Sequence, residues 1–175
     1  MKLLIISDSH GTIEPIHMLL ERYKNNVQTV VHLGDNAQDL LQFQSAYSNI
    51  NFVAVAGNCD FITSVPRERI LSFSASDTSA SSKSASLLRP ARRVLLLHGH
   101  SLNVKSSYNR LMYYAQEKGV DACLFGHSHI PFVANYESVF FMNPGSVSQP
   151  RGLSRAGYGI LSIVDDAITG EIHEL

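Results

Sequence analysis

The sequence predicts an α/β fold, because apolar runs of strand length alternate with segments of helical periodicity over residues 1–56. The runs are continuously apolar, as in KLLIIS at 2–7, which is typical of strands buried on both faces. Such a β-α-β-α-β order calls for parallel strands covered by helices. Later apolar runs, at 130–136 and 139–142, are close enough to pair as antiparallel partners. We therefore expect a parallel first half and an antiparallel second half.

The first half contains three predicted strands and two predicted helices. The strands are expected at 2–7, 29–33 and 52–56. The first helix begins at Glu14 and Pro15, since proline is favoured in a first helical turn. Its apolar residues recur at helical spacing and give it one face: Ile16, Leu19, Leu20 and Tyr23. The second helix is expected at 38–47.

A serine-rich segment separates the next two predicted strands, at 69–73 and 93–97. Eight of the fifteen residues at 72–86 are serine, and such a composition cannot bury enough apolar surface to order itself. We expect a long flexible hairpin loop at about 74–88. A phosphorylated regulatory segment is the alternative, but a tolerated loop insertion is the simpler explanation.

The rest of the chain is predicted to finish the sheet around one more helix. That helix is expected to be capped by Ser106 or Ser107 and to run to about Lys118, with Gly119 as its stop. The remaining strands are expected at 122–125, 130–136, 139–142, 158–164 and 171–175. We find no repeat or linker, so residues 1–175 are interpreted as a single domain.

Charge and cysteine content exclude several classes of protein. The formal net charge of −1 gives no global basic field for nucleic acid or an anionic membrane, and no aromatic and basic stripe suggests a nucleic-acid-binding module. Two distant cysteines fit a reducing compartment. The N-terminal apolar run is too short for a signal peptide or a membrane span. We expect a cytoplasmic protein, and a homo-oligomer stays open.

Polar side chains with metal-binding capacity follow five of the buried strands. They are Asp8 and His10, Asp35 and Asn36, Asn58, His98 and His100, and His127 and His129. Each pair alone is more often a turn or a structural histidine than a ligand pair. Together, at the carboxyl ends of α/β strands, they are typical of a ligand site, because so many buried ionisable groups are costly without a cation.

The ligand types also restrict the metal. Imidazole nitrogens mixed with carboxylate and amide oxygens suit Mn²⁺, Fe or Zn²⁺, with Ni²⁺ or Co²⁺ able to substitute, whereas Ca²⁺ would need more oxygen ligands. Seven of these side chains, two aspartates, one asparagine and four histidines, are too many for one ion and suit two ions that share a carboxylate. We expect two divalent ions, with Mn²⁺ as the first choice.

The set of motifs resembles that of the calcineurin-like metallophosphoesterases, and above all the compact bacterial YfcE-type phosphodiesterases. The motifs are DSH at 8–10, GDN at 34–36, GNCD at 57–60, HGH at 98–100, GHSH at 126–129 and NPGS at 143–146, followed by Pro150 and Arg151. They run in family order through nearly the whole chain. The resemblance implies a four-layer α/β/β/α sandwich of two mixed β-sheets.

The resemblance also implies roles for the matching positions. One metal would be held by Asp8, His10 and His129, the other by Asn58, His98 and His127, and both by the bridging Asp35. The implied reaction is hydrolysis of a small phosphoester, most simply a phosphodiester, by in-line attack of a hydroxide that bridges the two metals. The metals would supply the local positive charge that the chain lacks.

Cys59 departs from the more common Gly-Asn-His-Glu/Asp form of the motif, in which the histidine is thought to protonate the leaving group. A thiol is a weak donor and cannot carry positive charge, so a passive small residue is an equally good interpretation. We expect water or another site residue to protonate the leaving group, and good leaving groups to be favoured. The catalytic positions are then Asn58, Cys59, His98 and His100.

Several further positions stay open at the level of sequence. His100 would contact substrate or the surroundings of a metal, and Asp60 would support the site or cap a turn. Asn36 and Arg151 are candidates for substrate binding, although an exposed arginine needs no function. His17, His32 and His173 fall outside the pattern and are interpreted as structural or surface residues.

Two other functions compete with the phosphodiesterase. A phosphomonoesterase or nucleotide hydrolase would share every metal ligand and differ only in the shape of its pocket. A non-catalytic scaffold is the second rival, because the retromer subunit of this fold works through protein contacts. Such scaffolds typically lose ligand histidines, and this chain keeps the whole set, so catalysis is favoured.

Overall fold

A computed structural model of the protein contains both strands and helices, as predicted. It describes residues 1–61, 64–74, 91–164 and 167–175. Its strands are β1 (Lys2–Ile6), β2 (Thr29–His32), β3 (Asn51–Ala54), β4 (Glu68–Phe73), β5 (Arg92–Leu97), β6 (Ala122–Phe125), β7 (Phe132–Tyr136), β8 (Val139–Asn143), β9 (Gly157–Val164) and β10 (Ala167–Glu174). They form two five-stranded sheets, in the orders β10-β9-β1-β2-β3 and β4-β5-β6-β8-β7.

Both sheets are mixed, as the resemblance implies. In the first sheet β1, β2 and β3 are parallel, and β9 and β10 continue it antiparallel. In the second sheet β4 and β7 pair antiparallel with β5 and β8. The expectation of an antiparallel second half is wrong for β5, β6 and β8, which are parallel. The β7–β8 hairpin brings β8 back beside β6. The local sequence predicts the hairpin but not the further pairing of β8 with β6.

The continuous apolar character of β1 follows from its position between two packed layers. Leu3 and Ile5 contribute to the core between the two sheets, which also contains Val31, Leu96 and Met142. Leu4 and Ile6, on the opposite face, contribute to a second core that contains apolar residues of the first helix. Since successive residues of a strand point to opposite faces, a strand covered on both sides must be apolar throughout.

Three helices cover the outer faces of the sheets in the described part of the chain. They are α1 (Glu14–Tyr23), α2 (Gln38–Leu41) and α3 (Asn109–Lys118). Ile16, Leu19 and Leu20 of α1 are buried against the first sheet. Leu111 and Ala115 of α3 pack with residues of the second sheet. The result is the predicted order of layers, helix, sheet, sheet and helix.

Two helix boundaries differ from the prediction. The second helix ends at Leu41, because the backbone beyond it closes tighter turns: Phe43 and Gln44 donate to the carbonyls three residues earlier. The third helix begins at Asn109 rather than after a serine cap, with Tyr108 at the capping position. Ser107 still contributes, since its Oγ accepts a hydrogen bond from the Asn109 N–H at 3.2 Å. Gly119 ends the helix in a left-handed conformation, as predicted.

The serine-rich segment cannot be compared with its prediction, because residues 75–88 lie outside the described residues. The strands on either side of it do pair antiparallel, from Glu68 opposite Leu97 to Phe73 opposite Arg92. Of the helices that the structure describes, none is long and apolar enough to cross a membrane.

Candidate metal centre

Six of the predicted ligands converge where the parallel strands of both sheets end. Their donor atoms fall into two groups, each with all atoms within 4.8 Å of one another: Asp8, His10, Asp35 and His129 in the first group, and Asp35, His98 and His127 in the second. Asp35 belongs to both groups. Asp8, His10 and Asp35 follow strands of the first sheet, and the other histidines follow strands of the second.

The first group is built around two facing imidazoles. The Nε2 atoms of His10 and His129 lie 3.3 Å apart. The His129 Nε2 is 3.1 Å from Asp8 Oδ1, and the His10 Nε2 is 3.8 Å from Asp35 Oδ2. Asp8 and His129 are fully buried, and His10 is half-buried.

The second group has a similar arrangement on the other side of Asp35. The His98 Nε2 lies 3.1 Å from His127 Nδ1 and 3.3 Å from Asp35 Oδ1. His98 is buried, whereas His127 is half-buried. The two groups are connected further by Asp8, whose Oδ1 is 3.9 Å from the His98 Nε2.

Backbone carbonyls fix the tautomers of two of these histidines. His98 Nδ1 lies 2.7 Å from the Leu33 carbonyl oxygen, and His129 Nδ1 lies 2.5 Å from the Gln149 carbonyl oxygen. A carbonyl oxygen can only accept, so each Nδ1 must be the donor. In the neutral imidazoles the Nε2 lone pairs therefore face the carboxylates, which is how protein surroundings orient metal-binding histidines.

Asp8 supplies the test of whether a cation fits this site. Its Oδ2 accepts hydrogen bonds from Ser7 Oγ at 2.5 Å and from the His127 N–H at 3.0 Å. Its Oδ1 is buried and has no hydrogen-bond partner among the described residues. It faces imidazole nitrogens and the Asp35 carboxylate instead. An orphaned carboxylate oxygen among converging acceptors is costly unless a cation compensates it, so the residues fit metal ions.

The backbone conformation at the ligands is also unusual. Asp8, His10, Asp35, His127 and His129 all have positive φ, between 48° and 67°. This left-handed conformation is uncommon for residues other than glycine, although Asp and His tolerate it better than most. Unfavoured backbone of this kind clusters at functional sites, where the surrounding structure maintains it.

Two glycines permit the loops to approach the ligands. A Cβ at Gly57 would collide with Asp35, and a Cβ at Gly126 would collide with Ser7 and Asp8. The glycines of the GNCD and GHSH motifs are thus needed because another backbone lies against a carboxylate. The lack of a side chain, rather than backbone flexibility, explains why these motifs begin with glycine.

Asp60 braces the shared ligand. Its Oδ2 accepts hydrogen bonds from the backbone N–H groups of Asp35 at 2.8 Å and Gly57 at 2.7 Å, and its Oδ1 accepts from that of Ala37 at 2.7 Å. Of the two roles left open by the sequence, support of the site fits these contacts.

A buried chain of hydrogen bonds that sequence reasoning missed lies behind the first group. The Gly34 N–H donates to His32 Nδ1 at 3.1 Å, so the proton of this neutral ring is on Nε2, 2.9 Å from Ser9 Oγ. The Ser9 hydroxyl then donates to Asp39 Oδ2 at 2.7 Å, which also accepts from the Gly11 N–H. Only the burial of an unexplained histidine and aspartate could have signalled this network.

The NPGS motif is likewise structural. The Asn143 Nδ2 donates to the Gly126 carbonyl at 2.8 Å and to Ser128 Oγ at 3.0 Å, which holds the turn before His129. The Ser146 hydroxyl donates to the Asp8 carbonyl at 2.7 Å. The motif therefore joins the loops that carry ligands from the two sheets.

The GNCD motif is the most open part of the site. Asn58 is exposed, and its Nδ2 donates to Cys59 Sγ at 3.3 Å. The Cys59 N–H donates to Asp35 Oδ1 at 2.8 Å. Burial and the nearby carboxylates, Asp35 first, raise the pKa of the Cys59 thiol. The role of Asn58 as a metal ligand therefore stays a prediction.

The other predicted site residues occupy the margin of the two groups. The His100 ring centroid lies 5.5 Å from that of His98 and 6.0 Å from that of His127. Asn36 is half-buried and adjoins Asp35. Arg151 is exposed, and its backbone N–H donates to the His129 carbonyl at 3.2 Å. The geometry favours a contact of His100 with the site and gives the Arg151 backbone a structural role.

Electrostatics in the site favour ionised carboxylates. Burial alone would raise the pKa of Asp8 and Asp35, but His129 and His98 lower the pKa of Asp8, and His98 and Cys59 lower that of Asp35. Burial opposes the charged form of His98, yet Asp35 and Asp8 raise its pKa. Burial and neighbouring cations lower the pKa of His127 to about 4, so His127 is neutral at pH 7 and can bind a cation.

Comparison with known proteins identifies a family model and several relatives of this chain. Residues 1–166 match the family model described as a calcineurin-like phosphoesterase superfamily domain. The probable metallophosphoesterase YsnB of Bacillus subtilis is 30% identical, with 99% of this chain and 91% of that protein covered. The phosphodiesterase YfcE of Escherichia coli is 29% identical, with 92% and 87% covered.

Solved structures agree with the sequence comparison. A predicted phosphoesterase from Streptococcus pneumoniae has a TM-score of 0.75 and 28% identity, over 99% of this chain and 91% of that chain. Vps29 from Entamoeba histolytica has a TM-score of 0.71 at 17% identity, over 100% and 99%. At that identity the second match demonstrates the fold alone.

Proposed function

Because the chain belongs to the calcineurin-like phosphoesterase superfamily, we propose that it is a phosphodiesterase that works with two divalent metal ions. The coarser parts of this statement follow from membership: the chain is a metallophosphoesterase, a hydrolase of small phosphoesters. The preference for diesters, the number of ions and their identity are proposals, with Mn²⁺ as the expected metal. So are the cytoplasmic location, the single domain and a homo-oligomer.

The observation that carries the proposal is the sharing of Asp35 by two groups of donors, each within 4.8 Å. One ion would be held by Asp8, His10, Asp35 and His129, and the other by Asp35, His98, His127 and Asn58. Bound there, the ions would neutralise phosphate oxygens and lower the pKa of a coordinated water towards 7. A shared carboxylate is the expected means of placing two cations close together.

The chain's own hydroxyls support water as the nucleophile. Ser7 donates to Asp8, Ser9 donates to Asp39, and Ser128 donates to the Ile130 carbonyl, so all three of these hydroxyls beside the ligands are engaged as donors. We propose direct in-line displacement of the alcohol by hydroxide, with no covalent enzyme intermediate. The low pKa of Asp8 and Asp35 keeps both carboxylates charged at neutral pH, as metal binding requires.

The proton for the leaving group is proposed to come from water or from a residue other than Cys59. The raised pKa of Cys59 keeps its thiol protonated, but a thiol is a weak donor. Turnover of aryl and alkyl diesters by Cys59→Ala and Cys59→His tests this. We expect Cys59→Ala to keep its activity on aryl diesters; a large loss on every substrate would show that the cysteine is not passive.

Two rival functions differ in what they predict. A phosphomonoesterase would use the same ligands but prefer monoesters. A scaffold would need no ions for its role, and the fold shared with Vps29 is the only observation that favours it. The convergence of six donors and the orphaned Asp8 Oδ1 support catalysis over a scaffold.

The deciding experiment is an assay of metal-reconstituted protein on matched monoesters and diesters that share one leaving group. We expect faster hydrolysis of the diester, loss of activity in excess chelator, and loss in Asp35→Asn and His127→Ala. Full activity of both variants, or of chelated protein, would refute the two-metal proposal. Faster hydrolysis of the monoester would favour the first rival.

A further inference from the structure

A small cleft adjoins the second ligand group. It has a volume of about 180 Å³ and is lined by His98 and His100, by Arg67 and Glu68, and by Leu102 and Tyr114, among others. His98 belongs both to this cleft and to the second ligand group. Whatever occupies the cleft is therefore adjacent to the proposed site of hydrolysis.

The charged residues of the cleft leave it with an excess of positive charge. The Glu68 carboxylate accepts a hydrogen bond from the Tyr114 hydroxyl at 2.6 Å and pairs with Lys118 Nζ at 3.1 Å. Lys118 thus balances the charge of Glu68. Arg67 is exposed and has no ion pair among the residues that the structure describes, so its guanidinium charge faces the cleft uncompensated.

His100 lines the cleft together with Arg67 and lies against the second ligand group. Its ring lies beside both His98 and His127, and its Nδ1 is buried without a hydrogen-bond partner in the described part of the chain. Arg67, His98 and His100 line the same cleft, so an anion held by Arg67 would lie beside the second ligand group.

From this geometry we propose that the cleft binds one of the two ester substituents of the substrate and that Arg67 selects for a negative charge on it. The inference rests on the proposed function and names a substrate class: a phosphodiester with a compact substituent that carries a carboxylate or a phosphate. The volume is below the roughly 300–1,000 Å³ typical of sites for drug-sized ligands. Arg67 offers the planar fork that matches either anion.

The test compares two pairs of substrates with wild-type protein, Arg67→Gln and the control Arg110→Gln, an exposed arginine on α3 that is no part of the cleft. The first pair is p-nitrophenyl ethyl phosphate and p-nitrophenyl 2-carboxyethyl phosphate. The second pair places the carboxylate on the aryl leaving group instead. The pair that responds identifies which ester group lies in the cleft.

We expect wild type and Arg110→Gln to prefer the carboxylate in one pair by about fivefold in KM, the size of a partly exposed ion pair. Arg67→Gln should lose this preference while its kcat on the ethyl diester stays within about twofold of wild type. The preference should also shrink at 1 M salt, where charges are screened within about 3 Å.

Two results would overturn the proposal. One is the absence of a carboxylate preference in both pairs, and the other is a preference that Arg67→Gln retains. Either result leaves metal-dependent hydrolysis of the ethyl diester intact, so it is distinct from failure of the proposed function, in which no metal-dependent hydrolysis occurs at all.

Discussion

The two ligand groups share Asp35 but differ in how firmly the protein holds them. In the first group the ligands are buried or half-buried, and the loop that carries Asp8 and His10 is tied to the Asp39 network. In the second group the predicted ligand Asn58 is exposed and its amide is turned to Cys59. The difference teaches that the donors of the first group are already in place, whereas the predicted role of Asn58 in the second would require its side chain to rotate.

The largest effect is expected where the two groups meet. Asp35→Asn removes the charge that both groups share, so we expect activity to fall by more than the roughly 10–100-fold that loss of an outer hydrogen-bond partner costs. Metal titration by calorimetry should show weaker binding at both positions. Loss of only one bound ion would contradict the assignment of Asp35 as the shared ligand.

The next prediction compares the residues that support the two ligand groups. Asp60→Asn should lower metal affinity at both positions by roughly 10–100-fold, because Asp60 holds the backbone of Asp35 and Gly57. The matched variant Asp39→Asn should weaken mainly the first position, since Asp39 supports Ser9 and Gly11. Calorimetric titration of both variants is the measurement, and an equal effect of Asp39→Asn on both positions would contradict the distinction.

A smaller effect is expected from the open side of the site. Asn58→Ala should weaken one ion by about tenfold and leave the other unchanged, because an exposed amide adds less than a buried ligand. Asn109→Ala, at an exposed residue of α3, is the control. If Asn58→Ala weakened both ions equally, the comparison between a preformed and an incomplete position would fail.

The last prediction concerns stability rather than metal binding. The pKa of the buried His32 is lowered to about 4, chiefly by burial, whereas an unfolded histidine titrates near 6.5. Between these values the unfolded chain binds the extra proton, so stability should be full above pH 6.5 and decline as the pH falls to about 4. The shifted pKa of His32 contributes about 3 kcal/mol to the free energy of unfolding at neutral pH.

His32→Gln should remove this part of the pH dependence, because glutamine can still donate to Ser9 and accept from Gly34 without titrating. Urea unfolding of metal-free protein at pH 4.5, 5.5 and 7.0 measures it. We expect the variant's free energy of unfolding to fall less over this range than that of wild type. Parallel curves would show that the pKa of His32 is the same in the folded and the unfolded protein.

Ligand types could be predicted from the sequence better than their supports. Asp8, His98 and His129 could be identified because each follows an apolar run and belongs to a motif. Asp60 accepts hydrogen bonds from the backbone of the loop after β2, and the His32 ring lies against Ser9 after β1. Such contacts depend on which loops become neighbours. The same limit explains β8, whose parallel pairing with β6 is set by tertiary structure. The rotamer of Asn58 is a side-chain choice that no local pattern records.

The placement of the ligands on both sheets has a mechanical consequence. Asp35 extends from the first sheet, and His98 extends from the second, so an ion held by both is a cross-link between the halves of the sandwich. Its binding energy then adds to the cohesion of the sheets, and a ligand that binds only the folded state raises the melting temperature with its concentration. The metal centre would therefore stabilise the fold as well as take part in the reaction. Chelation should lower the melting temperature even when no substrate is present.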